Sequence, residues 1–178
     1  MKKSITLFTL IFCFLGFSQD KKSTKTGEIT FEASVPSFEE VKATNKGVSC
    51  ILNTKTGEMA SLALIKGFRF KVALMEEHFN ENYIESDQYP KAIFKGKIEN
   101  FDVSKLTNSD QKFIIKGTLE LHGKTKDVTS TALIKKAGDK IEIKNSFSVQ
   151  PGDFDIKIPS VVSNKVAKTV DVTCHFSL

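Results

Sequence analysis

Tryptophan is absent, arginine occurs once, at Arg69, and three cysteines and four prolines are spread over 178 residues. One cysteine, Cys13, lies in the apolar N-terminal stretch. The other two, Cys50 and Cys174, are few for an oxidising compartment. Each falls in an apolar, strand-like run where a thiol packs as a small hydrophobe, and whether the two are bonded is left open. No histidine belongs to a His-x3-His pattern and no cysteines to a Cys-x2-Cys pattern, so no metal is assigned. No Gly-x-Ser-x-Gly elbow is present, and no catalytic residue is assigned. Internal repeats, low-complexity tracts, interdomain linkers and a βαβ rhythm are all missing.

Long apolar runs are also missing after residue 17. The chain opens Met1-Lys2-Lys3 and runs apolar from Ile5 to Phe17, the charged start and short apolar region of a secretory signal. That run is too short for a membrane span, which needs roughly 20 apolar residues. Residues 1–18 are read as a signal peptide cut near Ser18 or Gln19, leaving a periplasmic or secreted chain with no transmembrane segment. Without Lys2 and Lys3, the 26 basic residues fall to 24 against 21 acidic ones. With so small an excess and the lysines dispersed, no nucleic-acid partner is expected.

What the chain does have is alternation. Ile29, Phe31, Ala33 and Val35 alternate with polar neighbours, the mark of a half-buried strand. The pattern recurs over 48–53, 58–65, 68–72, 91–98, 113–121, 128–135, 141–149 and 166–176, with turn residues such as Thr54-Lys55-Thr56-Gly57 and Ala137-Gly138-Asp139 between runs. Residues 19–26 are read as a flexible lead to one domain, 27–178, and 102–111 as its longest loop. Over 74–87, Met75, Phe79 and Tyr83 recur every fourth residue, which predicts one short amphipathic helix ending before Tyr89-Pro90. The expected fold is all-β: an antiparallel, lipocalin-like barrel of about eight strands with one short helix. Closure leaves no exposed edges and an interior wide enough for side chains or one ligand.

Several groupings look chemical. Gly117 to Thr125 superficially suggests a phosphate loop, but five residues separate its glycines where four are needed, and both flanks read as strands. His78 is expected to fix the helix to the barrel rim by a hydrogen bond, His122 to be solvated beside a turn, and His175 to point outward. On a strand, Asp153 and Asp155 would hold their carboxylates roughly 6.5 to 7 Å apart on one face. That spacing suits an inverting glycosidase pair, and with His78 it defines an enzyme reading in which the three side chains converge on a pocket. Arg69 lies between Phe68 and Phe70 and points outward by phase. Phenylalanine is abundant, and most of the rings past residue 27 fall on the inward phase, where they serve either a filled core or a ligand cavity.

Three segments carry a resemblance. Glu85-Ser86-Asp87-Gln88-Tyr89-Pro90-Lys91-Ala92-Ile93-Phe94, after His78-Phe79, resembles the helix, Tyr-Pro turn and strand of YceI-like proteins. Gly117 to Val128 is similar to that family's Gly-x-Leu-x-x-x-Gly-x-Thr-Lys-x-Val hairpin. Asp153-Phe154-Asp155-Ile156 resembles its Asp-Phe-Gly-Ile strand, with Asp155 in place of the glycine. The resemblance implies a lipocalin-like barrel whose elongated apolar cavity holds an isoprenoid chain, with no cofactor and no catalytic residues to carry over. The chain is then expected to hold a long apolar lipid, isoprenoid-like or acyl, as a monomer or homodimer. The candidate lining is Phe68, Phe70, Phe94, Leu119, Leu121, Phe147 and Phe154, with Met75, Phe79 and Tyr83 on a helix closing one end. The competing expectation is an envelope interaction or stress protein with a solid core.

Overall fold

Period-two alternation puts one face of each segment in water and one inside, and nearly every alternating run is a strand. The structure, a computed structural model, describes residues 20–178; the signal-peptide reading of residues 1–18 lies outside them. The strands are β1 (Lys21–Ser34), β2 (Lys42–Asn53), β3 (Glu58–Leu64), β4 (Arg69–Phe70), β5 (Lys91–Ile98), β6 (Gln111–Leu121), β7 (Lys124–Ala137), β8 (Lys140–Val149) and β9 (Val166–Ser177). Eight of them form a closed antiparallel ring in the order β1-β9-β8-β7-β6-β5-β3-β2, with β2 returning to β1. The two-residue β4 is a ninth strand that lies against the start of β2.

The expected flexible lead is a correction. Lys21 to Thr24 are already in β1, in register with Asn53 back to Cys50. With no apolar residue, this stretch carries no alternation signal; its order comes from backbone pairing to a strand with free ladder positions. The helix is where the spacing puts it but is shorter. Helix α1 (Ala73–His78) runs into one wider π-type turn (Phe79–Tyr83), closed by Ile84 N–H donating to Phe79 O at 3.0 Å. Glu85, at φ 46°, then reverses the chain.

The two ends of the barrel differ. One end carries the β2–β3, β5–β6 and β7–β8 connections and the C-terminus, and it is solid. Val48, Leu52, Ile98, Ile134 and Ile143 are fully buried there, with Ile115 and Phe176 nearly so. Leu178 exchanges two backbone hydrogen bonds with Ile141, 2.8 and 3.0 Å, and fastens the C-terminus onto this floor. Cys50 and Cys174 are buried free thiols in the same core, and burial pushes both up to about 12, so neither is a ready nucleophile near neutral pH.

Above the floor, Gly96 and Gly117 face each other across β5 and β6. A Cβ on either would lie 2.6 to 2.8 Å from the Phe94 ring. The missing side chains let that ring lie flat on the inner wall, the way aromatic residues cover strand glycines. Everything beyond Phe94 belongs to the other end.

Candidate functional site

The upper half of the barrel encloses a cavity of about 470 Å³, within the usual range for small-molecule sites of roughly 300 to 1,000 Å³. Of its lining side chains, only Glu39, His78, Tyr83 and Lys165 carry polar groups. One wall is aromatic. Phe31, Phe68, Phe70 and Phe79 form a mutual cluster with ring centroids 5.2 to 6.1 Å apart, tilted or edge-on, the arrangements that ring quadrupoles favour. The helix is held over this wall by Glu76, which accepts from Arg69 Nη1 at 2.8 Å and from the Phe70 backbone N–H at 3.1 Å. Arg69 is exposed, as its phase requires, but committed to the helix. Across the cavity stand Leu119, Leu121, Phe147 and Phe154.

Nine of the ten expected lining residues face this space: Phe68, Phe70, Met75, Phe79, Tyr83, Leu119, Leu121, Phe147 and Phe154. Phe94 does not line it. Its phase is inward, but over the paired glycines its ring packs down between the floor and the Leu119–Phe154 cluster. Sequence reasoning left out Phe31, whose inward phase was visible, and two alanines, Ala63 and Ala92. These face each other across β3 and β5 and keep that part of the wall thin.

The largest departure is His122. It is 8% exposed, not solvated, and occupies the first of two positive-φ positions, His122 at 49° and Gly123 at 71°, between β6 and β7. That is the two-residue hairpin turn matching the strand twist. Its Nδ1 lies 2.9 Å from Phe154 O and its Nε2 2.9 Å from Glu85 Oε2. The Tyr89 ring tilts against the imidazole at 4.3 Å and packs on Gly123. A backbone carbonyl oxygen can only accept, so Nδ1 donates to Phe154 O, while Nε2 faces the Glu85 carboxylate. His122 therefore ties the segment leaving the helix to the segment between β8 and β9, the two pieces of chain that cap the cavity.

The Asp153–Asp155 stretch is a second correction. It is a tight 3₁₀ turn (Pro151–Phe154) followed by Asp155 at φ 56°, ψ 21°, not a strand, so the same-face spacing does not apply. Pro151 at the first turn position favours the turn over a strand. Lys124 donates to Asp155 at 2.8 Å; this hydrogen bond and charge hold the Asp155 carboxyl below its usual range and push Lys124 up. Stability from this exposed pair is present above the ordinary aspartate range, near pH 4, and is lost as pH falls through the lowered value. His78, exposed on the cavity rim, makes no hydrogen bond to the barrel among the described residues, and Asp153 lines a different, smaller cavity. The three groups of the enzyme reading do not meet in one pocket. His175 is exposed, as expected. Among the described residues, no three metal-ligating side chains are grouped, and no helix is long and apolar enough to cross a membrane.

The family model of the YceI-like domain matches residues 17–178. The chain belongs to the YceI-like family. Solved structures share this YceI-like barrel at low identity. A polyisoprenoid-binding domain from Saccharophagus degradans, implicated in plant cell wall breakdown, has a TM-score of 0.77 at 15% identity, over 89% of this chain and 97% of that one. BcnA of Burkholderia cenocepacia gives 0.71 at 14%, over 85% and 96%. The YceI protein of Campylobacter jejuni gives 0.60 at 17%, over 81% and 88%. No curated protein matches this chain. In this YceI-like domain the three segments that carried the sequence resemblance converge on His122: Glu85 to Tyr89 on one side, the hairpin turn itself, and Phe154 on the other.

Asp155 occupies the left-handed region where the family's glycine is free of strain. Asp155→Gly is expected to leave the urea midpoint close to that of the wild type, because relief of strain offsets loss of the exposed ion pair. Asp155→Val, β-branched at positive φ, is expected to lower the midpoint clearly. Urea unfolding of both variants checks this, and equal effects would refute the conformational account.

Proposed function

We propose that this chain binds one long apolar lipid, an isoprenoid or acyl chain, in the cavity above Phe94, and that it does so as an exported protein of the periplasm or exterior. The observation that carries the reading is a void of about 470 Å³ walled almost wholly by apolar side chains, in a barrel whose other half is packed solid. A water-filled space of that lining is unfavourable, and each methylene buried in it contributes roughly 0.8 kcal/mol. Ten methylenes give about 8 kcal/mol, comparable to the 4 to 15 kcal/mol that association costs. Only long chains then bind well. The name of the Saccharophagus relative, a polyisoprenoid-binding domain, supports the same substrate class, and the charged start and apolar run of Met1–Phe17 support export. The void counts against an interaction protein with a solid barrel.

Organic extraction of detergent-free protein, with mass spectrometry of the extract against a mock purification, tests the reading. A stoichiometric isoprenoid or fatty-acyl species is expected. Well-folded protein that yields an empty extract and binds no fluorescent lipid would overturn it and restore the interaction-protein reading.

A further inference from the structure

The barrel wall is incomplete on one side. Strands β6 and β7 stay paired to their very ends, Leu121 with Lys124, and β8 and β9 stay paired as far as Val149 with Val170. Between β7 and β8, however, the ladder runs only from Ala137–Lys140 to Thr131–Ser146. Beyond that point the edge of β7 from Lys124 to Ser130 faces the edge of β8 from Phe147 to Val149 with no ladder between them. Ser130 and Asn145, joined by a 3.4 Å hydrogen bond, mark the root of the split.

The Pro151–Phe154 turn packs into this gap. Outside it lies a second cavity of about 280 Å³, lined by Lys126, Asp127 and Thr129 of β7, Ser148 and Gln150 at the end of β8, and Asp153. Among the described residues only Ser148 in this group has a side-chain hydrogen bond, to Asp171 at 2.6 Å. Val149 and Phe154 line both cavities. The partition between the apolar interior and the polar cleft is therefore two side chains wide, and its main member, Phe154, is 1% exposed.

We propose that this split is a head-group subsite: the cleft outside Phe154 receives a neutral, hydrogen-bonding head group, such as the hydroxyl of a prenyl or fatty alcohol, from the lipid whose chain fills the cavity. The inference rests on the lipid-binding reading and adds where the polar end lies and what chemistry it has. A long chain with a polar end must bring that end to water; the cavity rim is one route, and the thin Phe154 partition is the other once the ring turns aside. The cleft sets two carboxylates against one lysine, which disfavours a pyrophosphate; hydroxyl and amide groups from Thr129, Ser148 and Gln150 suit a neutral donor and acceptor. The lining of the main cavity offers instead two charged side chains, Glu39 and Lys165.

The test titrates geranylgeraniol and phytane, the same branched chain without the hydroxyl, into wild type and two double variants. Thr129→Val with Ser148→Ala is expected to weaken geranylgeraniol about fivefold, the worth of one hydrogen bond, and to leave phytane unchanged. Glu39→Gln with Lys165→Met, in the lining of the main cavity itself, is expected to change both probes by the same factor, because neither group meets the hydroxyl. All four positions are exposed, and unchanged thermal unfolding verifies the fold. No loss of geranylgeraniol in the cleft variant, an equal loss of both probes in the cleft variant, or a loss of geranylgeraniol alone in the Glu39 and Lys165 variant would overturn the subsite while leaving lipid binding standing. Wild type that binds neither probe would overturn both readings.

Discussion

His122→Ala is expected to lower the melting temperature by roughly 6 to 12 °C, the equivalent of about 3 kcal/mol in a domain of this size. Three losses add. The buried Phe154 carbonyl loses its donor, at about 1 to 3 kcal/mol. The space under the Tyr89 ring empties, and alanine takes over a position at φ 49° that it tolerates poorly. Glu85 contributes less, because its side chain is half exposed and water replaces the imidazole. His122→Asn, which accepts positive φ and keeps a donor, is expected to recover part of the loss. Hydrogen exchange gives a second readout: in His122→Ala, amides of 79–89 and 151–158 gain exchange together, since one ring holds both segments. A drop under 2 °C, or exchange rising in only one segment, would refute the pin.

Ala92→Phe is expected to empty the protein of ligand. Ala63 and Ala92 face each other on the cavity wall, and a phenyl group at position 92 projects into space the lipid chain would occupy. Overpacking ordinarily costs about 1 to 3 kcal/mol. Here the added ring meets a void, so stability should hold or rise while the extractable lipid per mole of protein falls at least tenfold. Quantitative mass spectrometry of extracts, paired with thermal unfolding, reads both quantities. Undiminished lipid in a stable Ala92→Phe protein would place the ligand elsewhere.

Much of this was legible in the sequence because strand phase is a local property. Alternation located the eight ring strands, and the inward phase picked out Phe68, Phe70, Leu119, Leu121 and Phe147 as cavity lining. The spacing of Met75, Phe79 and Tyr83 found the helix face even though a π-type turn interrupts it. The misses are residues whose environment is set by partners far along the chain. His122 reads as a turn residue, and nothing near it signals Glu85, 37 positions earlier, or Phe154, 32 positions later. Phe94 has the right phase, but where its ring lies depends on two glycines meeting across strands. Lys21 to Thr24 have no apolar residue to announce a strand, and Asp153 to Ile156 read as extended although Pro151 starts a turn there.

The solid floor has a further consequence. Below Phe94 the interior is filled by buried side chains such as Val48, Leu52, Ile98, Ile134 and Ile143, while the β7–β8 split and the cap held by His122 lie above it. A molecule divided in this way can take substitutions in its upper half while the lower half keeps it folded. Barrels that persist at 14 to 17% identity among the relatives described are what such a division of labour permits.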